Sequence, residues 1–165
     1  MATPAVETLK RALLASGPAI LKTMTFDHYD KGKAVLGSRL QSQGQGPPGD
    51  VHNSGRALDI ILYSKKPPMF QVFFEEEATI GYGLVNIFLG LQASMKWDTM
   101  IYDQKEWNRD GKIFGRTKPS YSLTDPMDRV RFEHLTHIHI DWSVANANNS
   151  AFYDELERNL KDAGY

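Results

Sequence analysis

The sequence predicts an α+β fold, a small and mainly antiparallel sheet with flanking helices at the N-terminus, in the middle and at the C-terminus. Three observations predict it. The stretch from Thr136 to Trp142 alternates strictly, with His137, His139 and Asp141 on one face and Thr136, Ile138 and Ile140 on the other, as a half-buried strand does. The run ALDIILY is apolar and rich in strand formers, and it reads as a buried strand from Arg56 to Tyr63. Apolar residues recur at helical spacing near both ends of the chain.

Taken in order, Val6, Leu9, Leu13, Leu14, Ile20 and Leu21 follow a Thr3-Pro4 start, and Gly17-Pro18 interrupts them, so one or two short helices are expected. Residues 41 to 50, QSQGQGPPGD, have loop composition and lead directly to His52. Beyond the Arg56–Tyr63 strand, Lys65-Lys66-Pro67-Pro68 ends the run. A long apolar segment from Phe70 to Ala93 reads as helix, with Glu75 to Glu77 on a solvated face and Gly81 and Gly83 as possible interruptions. DTMIYD, from Asp98 to Asp103, reads as a short strand, and residues 104 to 131 as a long excursion. Asn146 to Ser150 is expected to cap a closing helix marked by Phe152, Leu156 and Leu160. With 165 residues, no internal repeat and no linker, residues 1–165 make a single domain.

Composition narrows the function classes. The chain is 41% hydrophobic and 24% charged with three Trp, which is ordinary for a globular protein. Nineteen basic against twenty acidic residues give a net charge of −1, so no global field draws in nucleic acid or anionic lipid, and no nucleic-acid partner is expected. The absence of Cys removes disulfides, thiolate nucleophiles and Cys-based zinc sites. Any metal must therefore use His and carboxylates. Glu7, Lys10 and Arg11 break the apolar pattern that a signal peptide would need, and no run approaches the roughly 18 apolar residues of a membrane span. The expectation is a soluble protein without a recognisable signal peptide or membrane span.

Three of the five histidines fall between residues 134 and 139, and His52 sits seven residues before Asp59 at the junction of loop and strand. A catalytic zinc takes three protein ligands and leaves one position open, and two neutral imidazoles plus one carboxylate meet that demand without Cys. On a strand, His137 and His139 share a face, so one can hold a metal while the other stands beside it.

His52-Asn53-Ser54-Gly55-Arg56-Ala57-Leu58-Asp59 reproduces the H-x-x-G-x-A-x-D signature of the D-alanyl-D-alanine metallopeptidases, and His137-Ile138-His139 reproduces the H-x-H of the wider group with lysostaphin-like enzymes and hedgehog domains. Residues 35 to 142 thus resemble a zinc peptidase superfamily, and WDTMIYDQKEW resembles a segment between its two motifs. The resemblance implies that the sheet carries a Zn²⁺ site with His52, Asp59 and His139 as ligands and His137 beside the water. Arg39, in VLGSRLQSQ, resembles the family's upstream Arg that contacts a substrate carbonyl or carboxylate. Two positions depart from the pattern. Many family carboxypeptidases have Glu three residues before the last ligand, where this chain has Thr136, and Glu133 lies six residues away; His137 or His134 is then the candidate general base. The family's Ser before the first ligand is replaced by Asp50, a possible acceptor for His52.

The resemblance implies hydrolysis of a peptide bond in peptidoglycan stem or cross-link peptides, by an antibacterial or phage lytic enzyme that reaches the periplasm or cell wall by another route. Delivery machinery and an inhibitor protein are the partners such a role would imply. Two rivals stand beside it: a zinc-containing module that binds cell wall or protein without turnover, and a metal-dependent nuclease toxin, against which the near-neutral charge argues. A chain of this length with H-x-H near its C-terminus cannot be an amidohydrolase barrel. Trp97, Tyr102, Trp107 and Trp142 could line a sugar groove, but core packing is the expected use, and His28 is expected at the surface.

Overall fold

Pro4 opens the first helix at the position where its missing N–H costs nothing, and Gly17 with Pro18 closes it. The structure, a computed structural model, describes residues 1–23, 25–30, 33–38, 40–41, 51–62, 75–103, 105–110, 113–114 and 137–165. Helix α1 spans Pro4–Ser16 and α2 spans Ala19–Thr23, so the broken N-terminal pattern resolves into two helices. Ala5, Val6, Leu9, Ala12 and Leu13 form the buried stripe of α1.

Strands β1 (Thr25–Asp30) and β2 (Lys33–Ser38) pair antiparallel as a separate two-stranded sheet, with Asp30 opposite Lys33. The sequence reading assigned no strand here. Lys31-Gly32, set between two short runs with strand formers, is the signal that could have found the hairpin.

Among the described residues, the principal sheet has six strands. In chain order they are β3 (Leu40–Gln41), β4 (Ala57–Ile61), β5 (Thr99–Tyr102), β6 (Lys105–Asn108), β7 (Ile113–Phe114) and β8 (His137–Asp141). Their spatial order is β3-β4-β8-β5-β6-β7, and every neighbouring pair is antiparallel. The last strand in sequence therefore lies between β4 and β5. Between these two in the chain come α3 (Glu75–Gly90) and α4 (Gln92–Met95), and α5 (Tyr153–Asp162) closes the chain. The α+β expectation holds, with helices at the start, middle and end.

Two faces follow from the register. Leu58, Ile140, Met100 and Trp107 form one cross-strand row, and Ile60 pairs with Ile138. All six are buried in one cluster with Leu9 and Leu13 of α1, Leu84 and Phe88 of α3, and Leu156 and Leu160 of α5. Burying these side chains is the main stabilising contribution, about 1.5–3 kcal/mol for each large aliphatic or aromatic group. The opposite face carries Asp59, His137, His139 and Asp141. Ala57 and Ile61 are buried on that face too, which is why the β4 sequence reads as continuous rather than alternating.

Indole hydrogen bonds tie the middle helices to the sheet. Trp97 Nε1 donates to the Phe88 carbonyl at 2.9 Å, and Trp142 Nε1 to the Met95 carbonyl at 2.9 Å. Trp97, Tyr102, Trp107 and Trp142 are all buried, so these aromatics serve the core as expected. From the middle of α3, the Tyr82 hydroxyl donates to Asp103 and accepts from Lys105 Nζ at 2.7 Å. Asp103 has φ of 45° and turns the chain from β5 into β6.

Several expectations need correction. Residues 104 to 131 are not one irregular excursion, because β6 and β7 lie within them: Trp107 pairs with Met100 and is buried, so the start of the segment extends the sheet. Gly81 and Gly83 do not interrupt α3. A Cβ on Gly81 would lie 2.3 Å from the Tyr102 hydroxyl oxygen, so the helix approaches the sheet too closely for a side chain there. Asn146–Ser150 supplies no N-cap to α5, whose N-cap is Phe152 without a side-chain cap bond. Asn149 instead donates to the Ser94 and Met95 carbonyls at 2.7 and 3.0 Å. Tyr63 to Phe74 and the side chains of His28 and Glu75 to Glu77 lie outside the described residues. Among the described residues, no helix is long and apolar enough to cross a membrane.

Candidate metal centre

Asp59 and His139 come together because their strands pair in one register. Asp59 of β4 is the Cα partner of His139 of β8, and the two side chains leave the sheet on the same face. His139 pairs in turn with Ile101 of β5. The centre therefore sits in the middle of the sheet.

His52 reaches the same point from the turn that precedes β4. Gly55 N–H donates to the His52 carbonyl at 2.9 Å, and Arg56 N–H to the Val51 carbonyl at 3.1 Å. Arg56 latches this turn to the end of β8: its Nη1 donates to the Trp142 carbonyl at 2.9 Å, while Trp142 N–H donates to the Arg56 carbonyl at 3.0 Å. Gly55 has φ of 69°, and a Cβ there would lie 2.1 Å from the Met1 carbonyl oxygen. Glycine is required on both counts. Thr3 N–H donates to the Gly55 carbonyl at 2.9 Å, so the first residues of the chain brace the ligand turn from outside.

Three donor atoms converge. His52 Nε2 and His139 Nδ1 are 3.1 Å apart, His139 Nδ1 and Asp59 Oδ1 3.0 Å, and His52 Nε2 and Asp59 Oδ1 3.3 Å. A tetrahedral ion bound at about 2.0 Å keeps its ligand atoms roughly 3.3 Å apart, so this triangle is close to one face of such a tetrahedron. His52, Asp59 and His139 lie close enough to bind a metal ion. The His52 and His139 rings meet edge to face, with centroids 4.9 Å apart at 68°.

Two further side chains border the triangle. His137 Nε2 lies 3.9 Å from Asp59 Oδ1, adjacent to the three donors and outside their shell. Asp141 Oδ2 lies 3.3 Å from Nε2 of His139, on the far side of that ring. The His139 side chain is 9% exposed and that of Asp59 22%, so the cluster is sheltered but open on one side.

The electrostatics suit a cation. Burial opposes ionisation of Asp59, yet the neighbouring imidazoles of His137, His139 and His52 outweigh it and hold the carboxyl well below its usual range. Burial would likewise lower the pKa of His139, but hydrogen bonds to Asp141 and Asp59, together with their charges, raise it to about 10. Without a metal, the site thus holds a proton on His139 between two carboxylates. A bound metal cation would fill the same electrostatic role.

Of the residues expected from sequence, His52, Asp59 and His139 are brought together and His137 stands beside them. Arg39, His134, Glu133, Thr136 and Asp50 lie outside the described residues, as do 42–50 and 115–136. The contact of Asp141 with His139 was not anticipated; its signal was the i, i+2 spacing on one strand face. No protein-family model matches the chain, and neither the curated proteins nor the solved structures contain a match to it.

Proposed function

We propose that the His52–Asp59–His139 cluster holds Zn²⁺ and that the protein is a zinc metallopeptidase, a carboxypeptidase or endopeptidase, cleaving a peptide bond in peptidoglycan stem or cross-link peptides. The observation that carries this reading is the 3.0–3.3 Å convergence of two imidazole nitrogens and one carboxylate oxygen at the matched motif. His₂Asp is a donor set that zinc accepts, with one position left for water or substrate. When bound, the ion supplies Lewis acidity, polarising a carbonyl and acidifying water.

The rest of the chemistry falls to the chain's own side chains. His137 takes a proton at Nε2 during attack and returns it to the leaving amine; its Nε2, 3.9 Å from Asp59 Oδ1 and bordering the cluster, supports this role. Asp59 contributes negative charge that favours the cation. Arg39 is assigned a substrate carbonyl or carboxylate by the motif resemblance. Peptidoglycan as substrate rests on that same resemblance, and so does action in the periplasm or cell wall after delivery.

One feature favours a second reading, a zinc-containing binding module without turnover: Thr136 stands where related carboxypeptidases carry an acidic base. A single experiment separates the two. Purified protein and His139→Ala are incubated with isolated peptidoglycan, with and without chelator; fragments are identified by mass spectrometry and bound zinc is quantified. New stem-peptide ends that require His139 and vanish with chelator support the peptidase. Stoichiometric zinc without fragments supports the binding module. No metal after zinc is supplied refutes both.

A further inference from the structure

His139 has two ring nitrogens, and the fold engages both. Nδ1 faces Asp59 Oδ1 and His52 Nε2 at 3.0 and 3.1 Å, while Nε2 lies 3.3 Å from Asp141 Oδ2. A neutral imidazole carries hydrogen on one nitrogen and a lone pair on the other, and only the lone pair can bind a metal. Something must therefore select the tautomer. We propose that Asp141 is a positioning residue that accepts the Nε2–H of His139 and so keeps the Nδ1 lone pair aimed at Asp59 and His52. This assignment rests on the reading of the cluster as a metal centre.

Asp141 is built for that task in three ways. It lies two residues along β8 from His139, on the same face, so the strand's own periodicity sets the contact. Its backbone is held from both sides, paired with Ala57 and Thr99, and its carbonyl accepts from Asp98 N–H at 2.8 Å. Its side chain is 14% exposed, so few waters compete for the carboxylate. An ionised carboxylate accepts and cannot donate, which makes it selective for a ring nitrogen that carries hydrogen. Together with Asp59 it also places two negative charges around a site for a divalent cation. An amide here is not selective: the Asn oxygen can still accept the Nε2–H, but its NH₂ can equally donate to Nε2 and stabilise the tautomer whose Nδ1–H faces the ligand cluster.

The test uses wild-type protein, Asp141→Asn and Asp141→Ala. Zinc affinity is measured by competition with a chromophoric chelator, folding by circular dichroism and thermal unfolding, and the protonated nitrogen of His139 by long-range proton–nitrogen correlation spectra of zinc-loaded protein. The expected result is a wild-type His139 with hydrogen on Nε2, a folded Asp141→Ala with about 10- to 100-fold weaker zinc binding, and an Asp141→Asn between wild type and Asp141→Ala, because its oxygen can still accept the Nε2–H but no longer excludes the other tautomer. Wild-type affinity in both variants overturns the proposal and leaves the metal centre standing. Hydrogen on Nδ1 in the zinc-loaded wild type overturns it without reference to any variant. A wild type that binds no zinc overturns both the proposal and the metal centre on which it rests.

Discussion

Asp59 and His139 are separated by 80 positions in the chain, yet they are direct cross-strand partners with Oδ1 and Nδ1 3.0 Å apart. The motif thus closes on itself through a single strand pairing. Loss of either side chain should abolish metal binding while leaving the apolar face of the sheet intact. Asp59→Ala and His139→Ala are expected to weaken zinc binding by more than the roughly 100-fold at the upper end for supporting residues. Chelator competition measures this, and retention of wild-type affinity in either variant would remove the basis for the site.

The pH dependence should run in opposite directions with and without metal. In metal-free protein the His139 pKa is raised from 6.5 to about 10, so its contribution to stability is complete below pH 6.5 and is lost as pH rises through about 10. Asp59, held low, contributes above its usual value near 3.8 and loses that contribution as pH falls through its depressed folded pKa. Metal binding displaces the His139 proton, so zinc affinity should rise across the window in which the metal-free protein weakens. Thermal unfolding of chelated and zinc-loaded samples from pH 6.5 to 10 is the check. Parallel curves would show that His139 does not exchange a proton for the metal.

On the proposed mechanism, His137 serves the chemistry and not the metal. His137→Ala should lower peptidoglycan turnover about 100- to 10,000-fold, the usual contribution of a general acid or base, with zinc content unchanged. Loss of zinc in step with activity would instead make His137 a ligand.

Gly55 joins the ligand turn to the N-terminal residues. Gly55→Ala forces a side chain into φ of 69° and toward the Met1 carbonyl oxygen. It should destabilise the protein by about 1–3 kcal/mol and weaken zinc binding, because His52 rides on the same turn. Denaturant unfolding with and without zinc measures both effects; an unchanged midpoint would mean that the turn and the N-terminal residues move apart readily.

Core packing can be tested away from the metal. Ile140→Ala removes a fully buried side chain from the row that joins Leu58, Met100 and Trp107, and should cost about 2–5 kcal/mol of stability. Because Ile140 points away from His139 and Asp141, the variant that remains folded should keep zinc affinity. A selective loss of zinc binding would show that the two faces are coupled through the strand.

Local patterning by itself determined much of this protein. Alternation over His137–Asp141 assigned a strand and put both histidines and Asp141 on one face, since side chains alternate with period two whatever the partner. Gly17-Pro18 divided the N-terminal helices, because turn chemistry is written in neighbouring residues, and the motif resemblance pointed to His52, Asp59 and His139, the three residues that converge. Only the tertiary structure decided that β8 enters between β4 and β5, that His139 turns Nδ1 toward Asp59, and that Asp141 lies beside Nε2 on the far side of the ring. It also recruited β6 and β7 from a stretch whose Gly and charged residues resembled a loop. These outcomes depend on pairings between distant segments, chosen by how the apolar face of the sheet is buried against α1, α3 and α5, and no window of adjacent residues contains that information.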